Sequence, residues 1–324
     1  MRSITFAEFG SPARVLHLVE RPSPQPGVGE VRVRMVMSPI HNHDLMIVTG
    51  HYGYKPALPA FPGTEAVGVV EALGEGVSHL QIGQRVAGGA SATWADSYIA
   101  DAARVVPVPD SVDDETACQL VSMPLSAAML LHGMSLKQGD WIIVNAASGA
   151  VGKLVAQFGA EQSINVLSLV RRDSAIADLE RYGVGHVVST ETDGWQQRVT
   201  EVTKGAAIRY GVESIGGRAA DELLETLGEG GTLISFGALS GRPMQISPDN
   251  LLFKDTTVKA FWLAKLMRTT EASVIGDLLG AIVTRAASGK LKLPVSAGFD
   301  IADVAKAVEA ATTPGRDGKV VLTA

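Results

Sequence analysis

Residues 145–152 run Asn145-Ala146-Ala147-Ser148-Gly149-Ala150-Val151-Gly152. From Ala147 this is A-x-G-x-x-G, a dinucleotide fingerprint with its first glycine replaced by alanine. Gly149 would let the backbone approach a pyrophosphate, and Gly152 would let a helix pack closely on the preceding strand. A helix starting there would turn unpaired N–H groups and its positive dipole end toward phosphates, with Asn145 opening the turn. Some twenty residues on, a second strand ends Val170-Arg171-Arg172-Asp173. A site for NADH usually carries an acid at this point for the ribose 2′-hydroxyl, whereas two guanidinium groups suit a 2′-phosphate. Asp173 follows two cations and reads as a helix N-cap. The residues therefore favour NADPH. Further along, Phe236, Gly237, Ala238 and Leu239 close another strand, where small residues would let a nicotinamide ring lie against the backbone.

Metal chemistry finds less support. Cys118 is the single thiol, which excludes a disulfide framework and a four-thiolate zinc site. Many two-domain dehydrogenases hold a catalytic zinc with Cys and His, but Thr64 stands where those enzymes carry histidine. His41, His43 and Asp44 are the one near cluster of ligand types. On an extended segment, His41 and His43 would point the same way. No third nitrogen or sulfur ligand is evident, so the two histidines are expected to cap or to sit at the surface, and no metal is expected. Without a zinc ligand set, reduction of an activated C=C bond or a quinone is more natural than alcohol oxidation.

The elements that must position these groups fall into two patterns. Residues 1 to about 117 read as all-β, with short runs such as 31–36 and 66–71 punctuated by glycine and proline. A small twisted barrel is expected there rather than helices. From residue 118 the pattern becomes strand–helix alternation. Strands are expected at 141–146, 165–170, 186–189, 208–213, 232–236 and 257–262. Helices are expected at 152–162, 174–182, 195–202 and 219–227. That order implies a doubly wound parallel sheet of the α/β class. The tail is expected to return to the first domain, with helices at 271–288 and 301–311 and a strand at 319–322.

The segment 38–53, ending Gly50-His51-Tyr52-Gly53, resembles the G-x-Y-G segment of mitochondrial-type trans-2-enoyl thioester reductases, which are zinc-free medium-chain dehydrogenase/reductases. Phe253-Lys254-Asp255 followed by Phe261-Trp262-Leu263 resembles the same family's F-K-D … F-W-L run. The likeness spans essentially the whole chain, with quinone oxidoreductases as the next relatives. It implies a GroES-like β-barrel catalytic domain (1–117 and 263–324) and a Rossmann NADPH-binding domain (118–262). It implies that Ser148, Gly149, Ala150, Val151 and Gly152 meet the pyrophosphate, and that Arg171 and Arg172 meet the 2′-phosphate. Phe236 to Leu239 and Phe261, Trp262 and Leu263 would lie near the nicotinamide, with Lys319 as a further contact. Tyr52 would be the proton donor, and Asn42, Tyr52 and Trp262 would line the substrate pocket. Two departures, Met123 for an asparagine and His41-Asn42-His43-Asp44 for the family's N-P-S-D, fall on the substrate side.

The chemistry so implied is hydride addition to the β-carbon of an α,β-unsaturated thioester and protonation of the α-carbon. An NADPH:quinone reductase and a non-catalytic NADPH-binding protein are the alternatives. Lys265, Arg268, Lys290 and Lys292 could receive the phosphates of a pantetheine carrier, or simply be solvated. A net charge of −6 argues against nucleic acid. No apolar run is long enough to cross a bilayer, and no targeting segment is evident. A small-molecule substrate, a cytoplasmic location and a homodimer paired through strand 257–262 are expected.

Overall fold

β-Branched residues at alternate positions pack on a pleated face, and glycines turn the chain between such runs. The computed structural model describes residues 1–291 and 293–324, so the basic candidate Lys292 lies outside the described residues. The early strands are β1 (Arg2–Thr5), β2 (His17–Glu20), β3 (Glu30–Pro39), β4 (Glu65–Leu73), β5 (Arg85–Gly89), β6 (Ser97–Asp101) and β7 (Val105–Pro107). Helices α1 (Pro12–Val15) and α2 (Asn42–Val48) interrupt them, and α3 (Asp114–Ala117) and α4 (Ser122–His132) follow. Then come β8 (Trp141–Val144), α5 (Ala150–Glu161), β9 (Asn165–Val170), α6 (Ser174–Glu180), β10 (His186–Ser189), α7 (Trp195–Thr203), β11 (Ile208–Glu213), α8 (Ala219–Thr226) and β12 (Thr232–Ser235). The chain continues through α9 (Pro248–Phe253), β13 (Thr257–Ala260), α10 (Leu263–Thr269), α11 (Ala272–Ala287), β14 (Val295–Asp300), α12 (Val304–Thr312) and β15 (Lys319–Thr323).

Two compact units result: unit 1 is Met1–Ser122 with Leu279–Ala324, and unit 2 is Met123–Leu278. The domain limits read from sequence differ from these over residues 118–122 and 263–278.

In unit 1 the strands run β14-β15-β3-β4-β5-β7, with β6 also on β3 and a separate β1-β2 pair. β3 and β4 are antiparallel, Val33 opposite Val70. Gly68 sits where a Cβ would come within 2.2 Å of the Arg34 carbonyl oxygen, so no side chain fits between the two strands there. Ile4, Phe6, Val31, Val33, Met35, Trp94 and Tyr98 are buried with Val304, Ala307 and Val308 of α12. Each large apolar side chain so buried contributes about 1.5–3 kcal/mol.

The expectation that the first 117 residues hold no helix is corrected by α1, α2 and α3. For α2 the reason is local. The Asp44 carboxylate accepts the His41 N–H at 2.8 Å, which satisfies a helix-start donor, while Leu45 and Val48 bury one face. The segment 41–48 is therefore not extended, and the same-side argument for His41 and His43 is replaced by helix-start geometry.

Unit 2 holds a six-stranded sheet in the order β10-β9-β8-β11-β12-β13. Every pair is parallel, so the carboxyl ends of all six strands lie along one edge. The order reverses between β8 and β11, the switch point at which such sheets take their ligands. Ile143, Leu167, Leu169, Leu223, Leu224 and Leu233 are among the residues of its core.

Candidate active site

The edge of the unit 2 sheet is built around the turn after β8. Ala146 adopts φ 50°, left-handed backbone that costs an alanine about 1–2 kcal/mol. Gly149 caps α5, its N–H donating to the Ala146 carbonyl at 2.9 Å. The helical ladder opens with the Lys153 N–H on the Gly149 carbonyl. The N–H groups of Ala150, Val151 and Gly152 have no carbonyl one turn earlier to pair with. A Cβ on Gly152 would lie 2.6 Å from the Ala147 Cα, so only glycine seats the helix this tightly. Ser148 and Gly149 are exposed at the rim, while Val151 and Gly152 are buried beneath it.

Neighbouring strand ends complete this edge. Arg171 and Arg172, both exposed, follow β9, the strand beside β8. Asp173 does stand at the N-cap of α6, but its carboxylate makes no capping bond, and its N–H donates to Glu191 at 2.7 Å. Phe236, Gly237, Ala238 and Leu239 follow β12; Phe261, Trp262 and Leu263 follow β13. The rings of Phe236 and Phe261 lie 5.4 Å apart, and the Arg268 guanidinium sits 5.8 Å from the Trp262 ring centre. Lys265 and Arg268 of α10 are exposed, as is Lys290 in unit 1.

Asn145 is buried and ties β8 to β11. Its amide donates to Glu213 Oε1 at 3.1 Å, and its carbonyl oxygen accepts the Ser214 N–H at 2.8 Å. Sequence reasoning missed Glu213. Its Oε1 also accepts the Ile215 and Gly216 N–H groups and so shapes the loop after β11. A carboxylate directly after the buried Gly211 and Val212 at the end of the strand was the available signal.

Asn42, Tyr52 and Lys319 belong to unit 1. Asn42 is the exposed first residue of α2. Tyr52 is half-buried in the loop that leaves α2 through Gly50, a left-handed turn (φ 74°) covered by the Phe9 ring. His43 stacks on His41 at 4.9 Å and lies 5.9 Å from the Tyr52 ring, centre to centre. His41 is fully buried, so it caps α2 by position but has no surface role.

Beneath this helix start lies Glu65, also fully buried, with Oε2 2.7 Å from His41 Nε2. Its Oε1 accepts the Val121 and Ser122 N–H groups at 2.6 and 2.9 Å, fastening the start of α4 to β4. Burial raises the Glu65 carboxyl to about 6, against the opposing pull of those backbone donors. Burial, reinforced by Lys319 and His43, drives His41 well below the usual histidine range, so its ring is neutral. Lys319 falls to about 8 through desolvation and the nearby Arg316, with Asp44 and Glu65 pulling the other way.

Two family descriptions match the chain: an alcohol dehydrogenase GroES-like domain over residues 27–110, and a zinc-binding dehydrogenase over residues 150–278. Fold and site thus define a dehydrogenase-type protein in which a GroES-like sheet accompanies a Rossmann nucleotide-binding sheet. A Bacillus thuringiensis structure, described as a candidate NADPH:quinone reductase, is 30% identical at TM-score 0.93, covering 100% of this chain and 98% of that one. The chain belongs to the medium-chain dehydrogenase/reductase family. A mycobacterial protein solved with NADPH is 27% identical at TM-score 0.89, with complete coverage of each chain. The mitochondrial enoyl-[acyl-carrier-protein] reductase of Bos taurus is 28% identical over 330 residues, 100% of this chain and 88% of that protein.

Zinc, implied by one family description, does not fit the residues present. The Thr64 hydroxyl is committed to Asp44 and His43. Cys118 is buried, its thiol donates to the Glu115 carbonyl, and burial pushes its pKa well up. Among the described residues no group of three or more His, Cys, Asp or Glu could hold a metal.

Proposed function

We propose that this chain reduces activated C=C bonds with NADPH, and that its substrate is a trans-2-enoyl thioester. The observation that carries the proposal is the Gly149–Gly152 turn with Arg171 and Arg172 at the next strand end of one parallel sheet. The Gly152 approach seats α5 tightly on the turn after β8, so the free N–H groups of its first turn stand at the strand end, which fits the pyrophosphate of NADPH. Ser148, Gly149, Ala150, Val151 and Gly152 would hold the pyrophosphate, on the edge shaped by Asn145. Arg171 and Arg172 would hold the 2′-phosphate, and Phe236–Leu239 with Phe261–Leu263 would flank the nicotinamide. Lys319 is assigned to the cofactor on the family resemblance alone.

NADPH, when bound, supplies the hydride that reaches the β-carbon. Charge then develops on the thioester oxygen, where a preorganised hydroxyl or N–H stabilises it by a few kcal/mol. Tyr52 gives its phenolic proton to the α-carbon, directly or through that oxygen. Asn42 and Trp262 are assigned to the substrate on the family resemblance alone.

A quinone is the second reading, favoured by the Bacillus thuringiensis neighbour and by the His41-Asn42-His43-Asp44 departure on the substrate side. One variant separates the two. Tyr52→Phe lowers kcat on crotonyl-CoA by about 10²-fold or more if Tyr52 is the acid, and leaves quinone turnover nearly unchanged. Equal rates of wild type and variant on crotonyl-CoA would sink the enoyl reading.

A homodimer belongs to the same proposal. β13 forms the outer edge of its sheet, and Leu252 and Phe253 of α9 are 73% and 78% exposed, which supports pairing with a second copy. Among the described residues no helix is long and apolar enough to cross a membrane. The cytoplasmic location rests on the lone thiol.

A further inference from the structure

A carboxylate has no proton to give. The Thr64 hydroxyl, 2.6 Å from Asp44 Oδ1, must therefore spend its proton on Asp44. Its oxygen is then the acceptor for the remaining partner, His43 Nε2 at 2.7 Å. His43 thus carries its hydrogen on Nε2, and its Nδ1 is the atom left to exchange protons. Asp44 is itself buried and fixed, its second oxygen accepting the His41 N–H. It also lies 3.8 Å from His43 Nε2. One face of the His43 ring meets His41, Tyr52 lies beside it, and 22% of its side chain reaches solvent. The charged and titratable groups around it are Asp44 and His41 on its own helix, Tyr52 on the following loop, and Glu65 from β4; Lys319 of β15 acts on His41.

We propose that His43, locked in one tautomer by Thr64 and Asp44, is a positioning residue that returns a proton from solvent to Tyr52 after each turnover. This rests on the enoyl reductase reading above. Once Tyr52 has given its proton to the α-carbon, the Nδ1–H bond of the His43 imidazolium breaks and the phenolic O–H bond re-forms. Solvent then restores the proton to Nδ1. No electrons move beyond those of the hydride step.

The test uses the full chain with saturating NADPH and crotonyl-CoA, over the range in which imidazole and phenol titrate. Wild-type kcat falls as pH rises. His43→Gln lowers kcat by about 10- to 100-fold, erases that limb and leaves KM nearly unchanged. Thr64→Val frees the tautomer and lowers kcat in the same direction, whereas Thr64→Ser keeps it. Added imidazole restores turnover to His43→Ala, which a purely structural defect would not allow. If wild type is active but His43→Gln keeps its rate and pH limb, or Thr64→Val and Thr64→Ser behave alike, the relay is overturned. If wild type reduces no enoyl thioester, the proposed reaction itself falls and takes the relay with it.

Discussion

Replacing Glu65 by glutamine removes one buried charge while keeping the shape of the side chain, and its effect can be worked out in advance. The amide oxygen can still accept the Val121 and Ser122 N–H groups. The amide NH2 must donate to His41 Nε2, which moves the imidazole proton to Nδ1, an atom with no hydrogen-bond partner among the described residues. That unsatisfied donor costs about 1–3 kcal/mol. Against this stands the linkage of wild type. The Glu65 carboxyl rises from its ordinary 4.5 to about 6, so between those values the folded protein binds more protons than the unfolded chain. Stability from this group is fully present below pH 4.5 and is lost as pH rises through 6, about 2 kcal/mol in all.

Glu65→Gln lacks this loss. Relative to wild type, the variant therefore gains about 2 kcal/mol as pH rises from 4.5 past 6. Cys118 offers the assay, because it is the only thiol and is buried in unit 1. Brief pulses of dithiodipyridine, which reacts even in acid, report unit 1 unfolding along a urea series at each pH. A difference in midpoint that is flat with pH, or that moves in favour of wild type as pH rises, would refute the argument.

Two further outcomes follow from the unit 2 edge and from α9. Replacing Arg171 and Arg172 together by alanine raises the KM for NADPH by about 10- to 100-fold and leaves that for NADH alone, since each charge-assisted contact is worth about 1.5–3 kcal/mol and the pair is exposed. Steady-state kinetics with the two cofactors decides it, and equal changes in both refute the 2′-phosphate assignment. Introducing aspartate at Leu252 and Phe253 converts a dimer to monomers in sedimentation velocity; a wild type that already sediments as a monomer removes the premise.

Much of unit 2 was legible because short strand-like runs alternate with helix-length segments at regular spacing along the chain. Strands 165–170, 186–189 and 208–213 fall where the pattern puts them. The first and last strands stop short, β8 at Val144 and β13 at Ala260. In β8 the apolar character runs on past Val144, but Asn145 already turns its side chain to Glu213 and Ser214. α2 was hidden because its N-cap is histidine rather than serine or threonine, which masked the Asp44 counterpart three residues on. The Glu65 cluster was hidden for another reason. Its partners at 41 and 121–122 are far apart in sequence, and only strand pairing brings them together. The fingerprint turn and the arginine pair needed no such long-range contact, so they could be read directly.

β15 has a consequence for synthesis. Its Val320, Val321 and Leu322 are buried, it pairs with β3 through Val321 and Pro39, and it lies between β3 and β14. A ribosome makes β3 early and β15 only after every residue of unit 2 has emerged. The nucleotide-binding sheet can thus mature on the nascent chain while its companion waits with one flank of β3 open. Nonsense mutations between Leu278 and Lys319 would then leave that flank uncovered in a chain with a finished Rossmann unit, a product fit for proteolysis rather than for partial activity.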